Sequence, residues 1–187
     1  MKQERAIRLF AIAWAVIVIA APKPAVTAAA QGPARASIQA EMLKDWTGLK
    51  DTMDKIANAM PEDKFTFKAT PPQRDFGEQV MHIATVNARF LGFVGAQAAA
   101  PKIDPKTTGK AATIKAMDEA FDYGTAILKE QADQTMLSPA ATPPGFLGPS
   151  TKARMFSFLI GHTWDTYGQM AVYLRLNGIT PPASVRP

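Results

Sequence analysis

Cysteine is absent from the 187 residues. Neither a disulfide framework nor a thiolate metal site is available, and the chain has no thiol nucleophile of its own. Histidine is nearly as scarce, with two, so any imidazole chemistry belongs to His82 and His162. No period-2 strand of useful length, internal repeat or glycine-rich phosphate loop occurs, and no local motif supports Ser/His/Asp catalysis. Basic runs interleaved with aromatics are missing too, which argues against a nucleic-acid partner.

Long hydrophobic runs are also lacking. The main one, "LFAIAWAVIVIA" from Leu9 to Ala20, falls short of the roughly 20 residues a membrane-spanning helix needs. It follows the basic start "MKQERAIR" and precedes small residues, with Ala28 and Ala30 in the small-x-small spacing of a signal-peptidase site. Residues 1–30 are therefore expected to be a cleaved secretory signal, leaving residues 31–187 as one exported domain, periplasmic or secreted, with no stable membrane span. The charge argument changes with the cut. The formal +5 falls to +2, because Lys2, Arg5, Arg8 and Lys23 leave with only Glu4.

Helical periodicity fills the rest of the chain. The first helix is expected over about 36–60 and ends at Pro61, which can neither donate a backbone hydrogen bond nor avoid the preceding turn. A Phe-bearing connector follows. The second helix is expected from Arg74 to about Gln97 or Ala100, and the third from Lys110 to Asp133. The Pro- and Gly-rich stretch from Ser138 to Ser150 forms a loop. Ser150 or Thr151 caps the last helix, which runs to Asn177, with Gly178 placed for the left-handed turn beyond it. Four helices of this length make an all-α four-helix bundle. A small-molecule ligand and a homodimer are both compatible with such a bundle.

Two helix faces carry polar groups. With His162 as the zero of the fourth helix, Thr166 falls about 40° to one side, Gln169 and Tyr173 about 20° away, and Asp165 about 60° away. With His82 as zero on the second helix, Asp75 lies near 20° and Glu78 near 40°, whereas Asn87 points to the far side. If these faces meet, the two imidazoles meet in the core. A divalent ion such as Zn, Ni, Mn or Fe typically takes three protein ligands and leaves a place for water, so Glu78 or Asp165 would have to complete the set. The other reading is a pair of ordinary hydrogen-bonded core histidines.

The second-half stretch "HTWDTYGQMAVYLRLNGITPPAS", together with "MPEDKFTFKATPPQRDFGEQVMHIATVNARF" in the first half, resembles the DinB-like (DinB/YfiT) superfamily. That family ends on H-x-x-x-H-Y-G-Q-x-x-x-Y-L-R-x-x-G-x-x-P-P. The resemblance implies an up-and-down-type four-helix bundle with a divalent metal between helices. It also implies metal-dependent thiol-transferase or hydrolase chemistry. Its ligands correspond here to His82 and His162, while the third ligand position is occupied by Thr166. The resemblance therefore points to a degenerate or weak metal site between the second and fourth helices. The alternatives are a hydrolase or transferase completed by a substitute carboxylate, and a non-catalytic binding bundle.

Overall fold

A computed structural model describes residues 36–185. The expected signal segment lies outside these residues. The described chain forms helices α1 (Ile38–Ala59), α2 (Phe76–Leu91), α3 (Lys110–Lys129), the single turn α4 (Asp133–Met136) and α5 (Lys152–Leu176). No helix among the described residues is long and apolar enough to cross a membrane.

Three of the four long helices start on a side-chain cap. At α1 the Ser37 hydroxyl accepts from the Ala40 amide, and at α5 the Thr151 hydroxyl accepts from that of Arg154. At α2 the cap is reciprocal: Asp75 accepts from the Glu78 amide while Glu78 accepts from the Asp75 amide. Gly178 takes a left-handed φ of 73° just past α5. The second helix is shorter than its periodicity predicts. It tightens into a 3-10 turn over Gly92–Val94, and Gly95 then turns the chain at φ 75°. The apolar spacing beyond Leu91 is real, with Val94 buried, but it belongs to packed irregular chain. The third helix likewise ends at Lys129, and Asp133 opens a separate turn, α4. There its carboxylate accepts from the Ser37 hydroxyl and the Gln39 amide.

Around the bundle the helices follow the order α1, α3, α2, α5, so α1 and α2 lie on a diagonal. Lys50 pairs with Asp122, and the Lys110 ammonium donates to the Met60 carbonyl, so α1 and α3 are antiparallel. Gln79 bonds to Gln169 and His82 to His162, so α2 and α5 are antiparallel as well. The starts of α1 and α5 both gather at residues 128–133, through Gln39 to the Leu128 carbonyl and Lys152 to Gln131. It follows that α2 and α3, although consecutive, run the same way. This corrects the up-and-down expectation. The reason lies in the connector: residues 95–109 are extended enough to carry the chain back along the bundle before α3 begins.

The core between the helices is built on Trp46, whose ring meets Phe121 at 4.9 Å and Phe156 edge-on at 5.5 Å. Its indole N–H donates to the Phe121 carbonyl at 2.8 Å. Gly124 makes this approach feasible, since a Cβ there would lie 2.4 Å from the indole. At the other end, Tyr173 is buried against Phe67 and Phe76, and its hydroxyl donates to the Arg74 carbonyl at 2.6 Å. That bond fixes the entry to α2, about two turns before His82.

Candidate functional site

The α2 and α5 faces do meet. His82 Nε2 and His162 Nε2 lie 3.0 Å apart, with the ring centroids 4.9 Å apart and tilted by 58°. One turn toward the Arg74 end, the Gln79 amide donates to Gln169 Oε1 at 2.9 Å, and Gln169 donates to Asp165 Oδ2 at 2.9 Å. Behind His162, Phe158 stacks at 6.2 Å and 26°, and Phe90 stacks on Phe158 in turn. The pair therefore has an aromatic wall on one side. On the other it has a cleft of about 240 Å³, lined by Arg74, Glu78, Met81, His82, Thr85 and Pro105.

Both rings are held neutral around pH 7. Burial, then the Arg74 guanidinium and the His162 ring, push His82 down to about 4. Burial also lowers His162; the Asp165 carboxylate opposes the shift and Arg74 adds to it. Two neutral imidazoles this close share one proton. His162 Nδ1 is shut off from solvent and has no partner. Orphaned buried N–H groups are rarer than under-satisfied acceptors. We therefore assign the shared proton to His162 Nε2, leaving Nδ1 bare and His82 Nε2 as acceptor.

A divalent ion between the two nitrogens is geometrically reasonable. With metal–nitrogen bonds of about 2.0–2.1 Å, a 3.0 Å separation subtends roughly 94°, near the octahedral value and below the tetrahedral one. The other donors are engaged elsewhere. Thr166 is buried, and its hydroxyl donates to the His162 carbonyl at 3.2 Å within its own helix. Asp165 is exposed and accepts from Gln169. Glu78 serves the α2 cap and pairs with Lys68 at 3.4 Å, and its acceptance from the Asp75 amide lowers its pKa. Among the described residues no group of three or more His, Asp or Glu side chains is gathered as a metal would need. His162 also lacks the outer acceptor that usually orients a metal-bound imidazole. The residues present thus fit an ion at two positions and stop there.

The angular reading located His82, His162, Gln169 and Tyr173 on the inner faces but missed Gln79, whose offset of about 60° from His82 was on the same stripe. Asn87 lies off the histidine stripe, yet it is fully buried with neither amide atom bonded. Trp164 and Tyr167 pack on each other at 5.4 Å.

The sequence pattern that defines the DinB family matches residues 33–185. No curated protein matches the chain. Among solved structures, a DinB-like protein from Bacillus cereus ATCC 10987 superposes with a TM-score of 0.64 at 20% identity, over 80% of this chain and 98% of that one. The DinB-like protein YjoA from Bacillus subtilis gives 0.60 at 17% identity, over 75% and 94%. YfiT from Bacillus subtilis gives 0.59 at 13% identity, over 76% and 89%, and is described as a probable metal-dependent hydrolase with an unusual four-helix bundle topology. At these identities the likeness shows the fold.

Proposed function

The chain belongs to the DinB family, and from that premise we propose that it is an exported bundle whose His82–His162 pair holds a divalent ion weakly. The 3.0 Å approach of two neutral Nε2 atoms carries this reading, because neutral imidazoles are the form a metal takes up. The buried, unpartnered Nδ1 of His162 and the engaged Thr166 hydroxyl account for the weakness. A bound ion would supply Lewis acidity and acidify a water facing the cleft. The probable hydrolase activity described for YfiT makes hydrolysis the reaction class to test first.

Titration of chelator-stripped protein with Zn(II), Ni(II), Mn(II) or Fe(II) tests the site directly. One saturable equivalent is expected for at least one of them, removable on a chelating resin and lost in both His82→Ala and His162→Ala. Binding that survives both substitutions, or no saturable binding with any of the four ions, sinks the proposal. Export is tested separately by N-terminal sequencing of the mature protein, which should start near residue 31.

A further inference from the structure

The cleft beside His82 has a polarity that the histidine pair does not explain. Arg74 stands at its rim, held by its main chain through the Tyr173 hydroxyl. Its guanidinium has no hydrogen-bond or ion-pair partner among the described residues. The two nearby carboxylates are committed: Asp75 and Glu78 bind each other's backbone amides, and Glu78 also faces Lys68. A second cavity of about 260 Å³ shares Glu78, Met81 and Pro105 with the first and adds Lys106 and Thr107. Lys106 uses its amide to bond Asp104, and its ammonium has no partner among the described residues. The acids of this groove bond main-chain amides, whereas Arg74, whose charge helps hold Glu78 ionised, and Lys106 make no side-chain hydrogen bond or ion pair among the described residues. Between them Met81 offers an apolar floor and Pro105 an apolar edge.

We propose that this groove binds a small molecule with a carboxylate or phosphate group, the acid end held by Arg74 and the body lying over Met81 and Pro105 toward His82. A guanidinium presents paired donors that match a planar or tetrahedral oxyanion. The inference rests on the proposal that the His82–His162 end of the cleft is the functional one, and it names the class of molecule that end receives.

Inorganic phosphate and succinate serve as probes, titrated calorimetrically at fixed ionic strength with chloride as the reference salt. At least one should bind saturably, and Arg74→Gln should weaken it by about tenfold or more. Lys129→Gln, at the far end of α3, should bind as the unsubstituted protein does. Melting curves confirm that both variants fold. Ni(II) or Zn(II) titration of Arg74→Gln separates the two readings, since metal uptake should persist where anion uptake is lost. Protein that takes up metal but neither anion beyond the chloride effect overturns this inference alone, as does unchanged affinity in Arg74→Gln. Saturable, Arg74-dependent anion binding without metal uptake supports it and removes the metal. Binding of neither class overturns both.

Discussion

Thr166 stands one turn from His162 and spends its hydroxyl within its own helix. Its hydroxyl returns to the His162 carbonyl one turn back, so the residue satisfies itself locally and needs no partner across the bundle. Thr166→His should place a third imidazole on the same helix face, one turn from His162. We expect divalent-metal affinity to rise by about tenfold or more, roughly 1.4 kcal/mol, in the titration used for the parent protein. No gain would mean that position 166 does not converge on the pair. Gly124 gives a second single-residue test. A methyl group there would meet the Trp46 ring at 2.4 Å, and the indole is pinned by its bond to the Phe121 carbonyl. Gly124→Ala should therefore destabilise by about 1–3 kcal/mol, read as a lower urea midpoint. An unchanged midpoint would show that Trp46 moves freely.

Helices α2 and α5 carry the histidine pair, and the ends of α5 were more legible than the end of α2. Thr151 and Gly178 announce the limits of α5 by type and position, because an N-cap oxygen and a left-handed glycine act within one turn. The end of α2 was not legible in the same way. Apolar spacing continues through Val94, and only the tertiary packing decides that this stretch leaves the α-helical path. The convergence of His82 and His162 could be drawn from two angular stripes once the helices were assumed to face each other. The engagement of Glu78 could not, since the Asp75-x-x-Glu78 spacing reads equally as a cap or a ligand. This cap makes its own prediction: Asp75→Ala should cost about 1 kcal/mol in chemical denaturation. It should also leave the Glu78 amide without its side-chain acceptor, while the Glu78 carboxylate keeps its bond from the residue-75 amide. A loss indistinguishable from zero would remove the cap from the account of how α2 is set.

Across the whole molecule, two half-buried titrating groups pull stability in opposite directions. Asp54 on α1 faces Asp118 on α3, each has an oxygen closed off from solvent, and a protonated Asp54 can donate to the Asp118 carboxylate. Burial, then the Asp118 carboxyl, pushes Asp54 up to about 7, with Lys50 opposing. The folded protein holds that proton more tightly than the unfolded chain. Its contribution is thus full below the usual aspartate range and is lost as pH rises toward about 7. His82 behaves inversely: its contribution is full above 6.5 and is lost as pH falls toward about 4. The parent protein should therefore show a shallow pH dependence between about 4 and 7 in chelator-treated samples. Asp54→Asn should unmask a rise of stability with pH across that window, and His82→Ala a fall, each of about 1 kcal/mol after allowance for solvent screening. Parallel profiles for the two variants would contradict the opposition. None of this was visible in the sequence, because Asp54 and Asp118 are 64 positions apart and meet only through the α1–α3 register. The parallel course of α2 and α3 was equally hidden, since it depends on where a loop travels. That course has a further result. Pro105 and Lys106, which wall the groove, belong to the returning connector and to neither helix of the histidine pair. Connectors tolerate replacement far better than packed helices. The architecture thus separates a fixed helical floor from an exchangeable edge, so the shape of the groove can be rewritten in a surface segment while the interior stays the same.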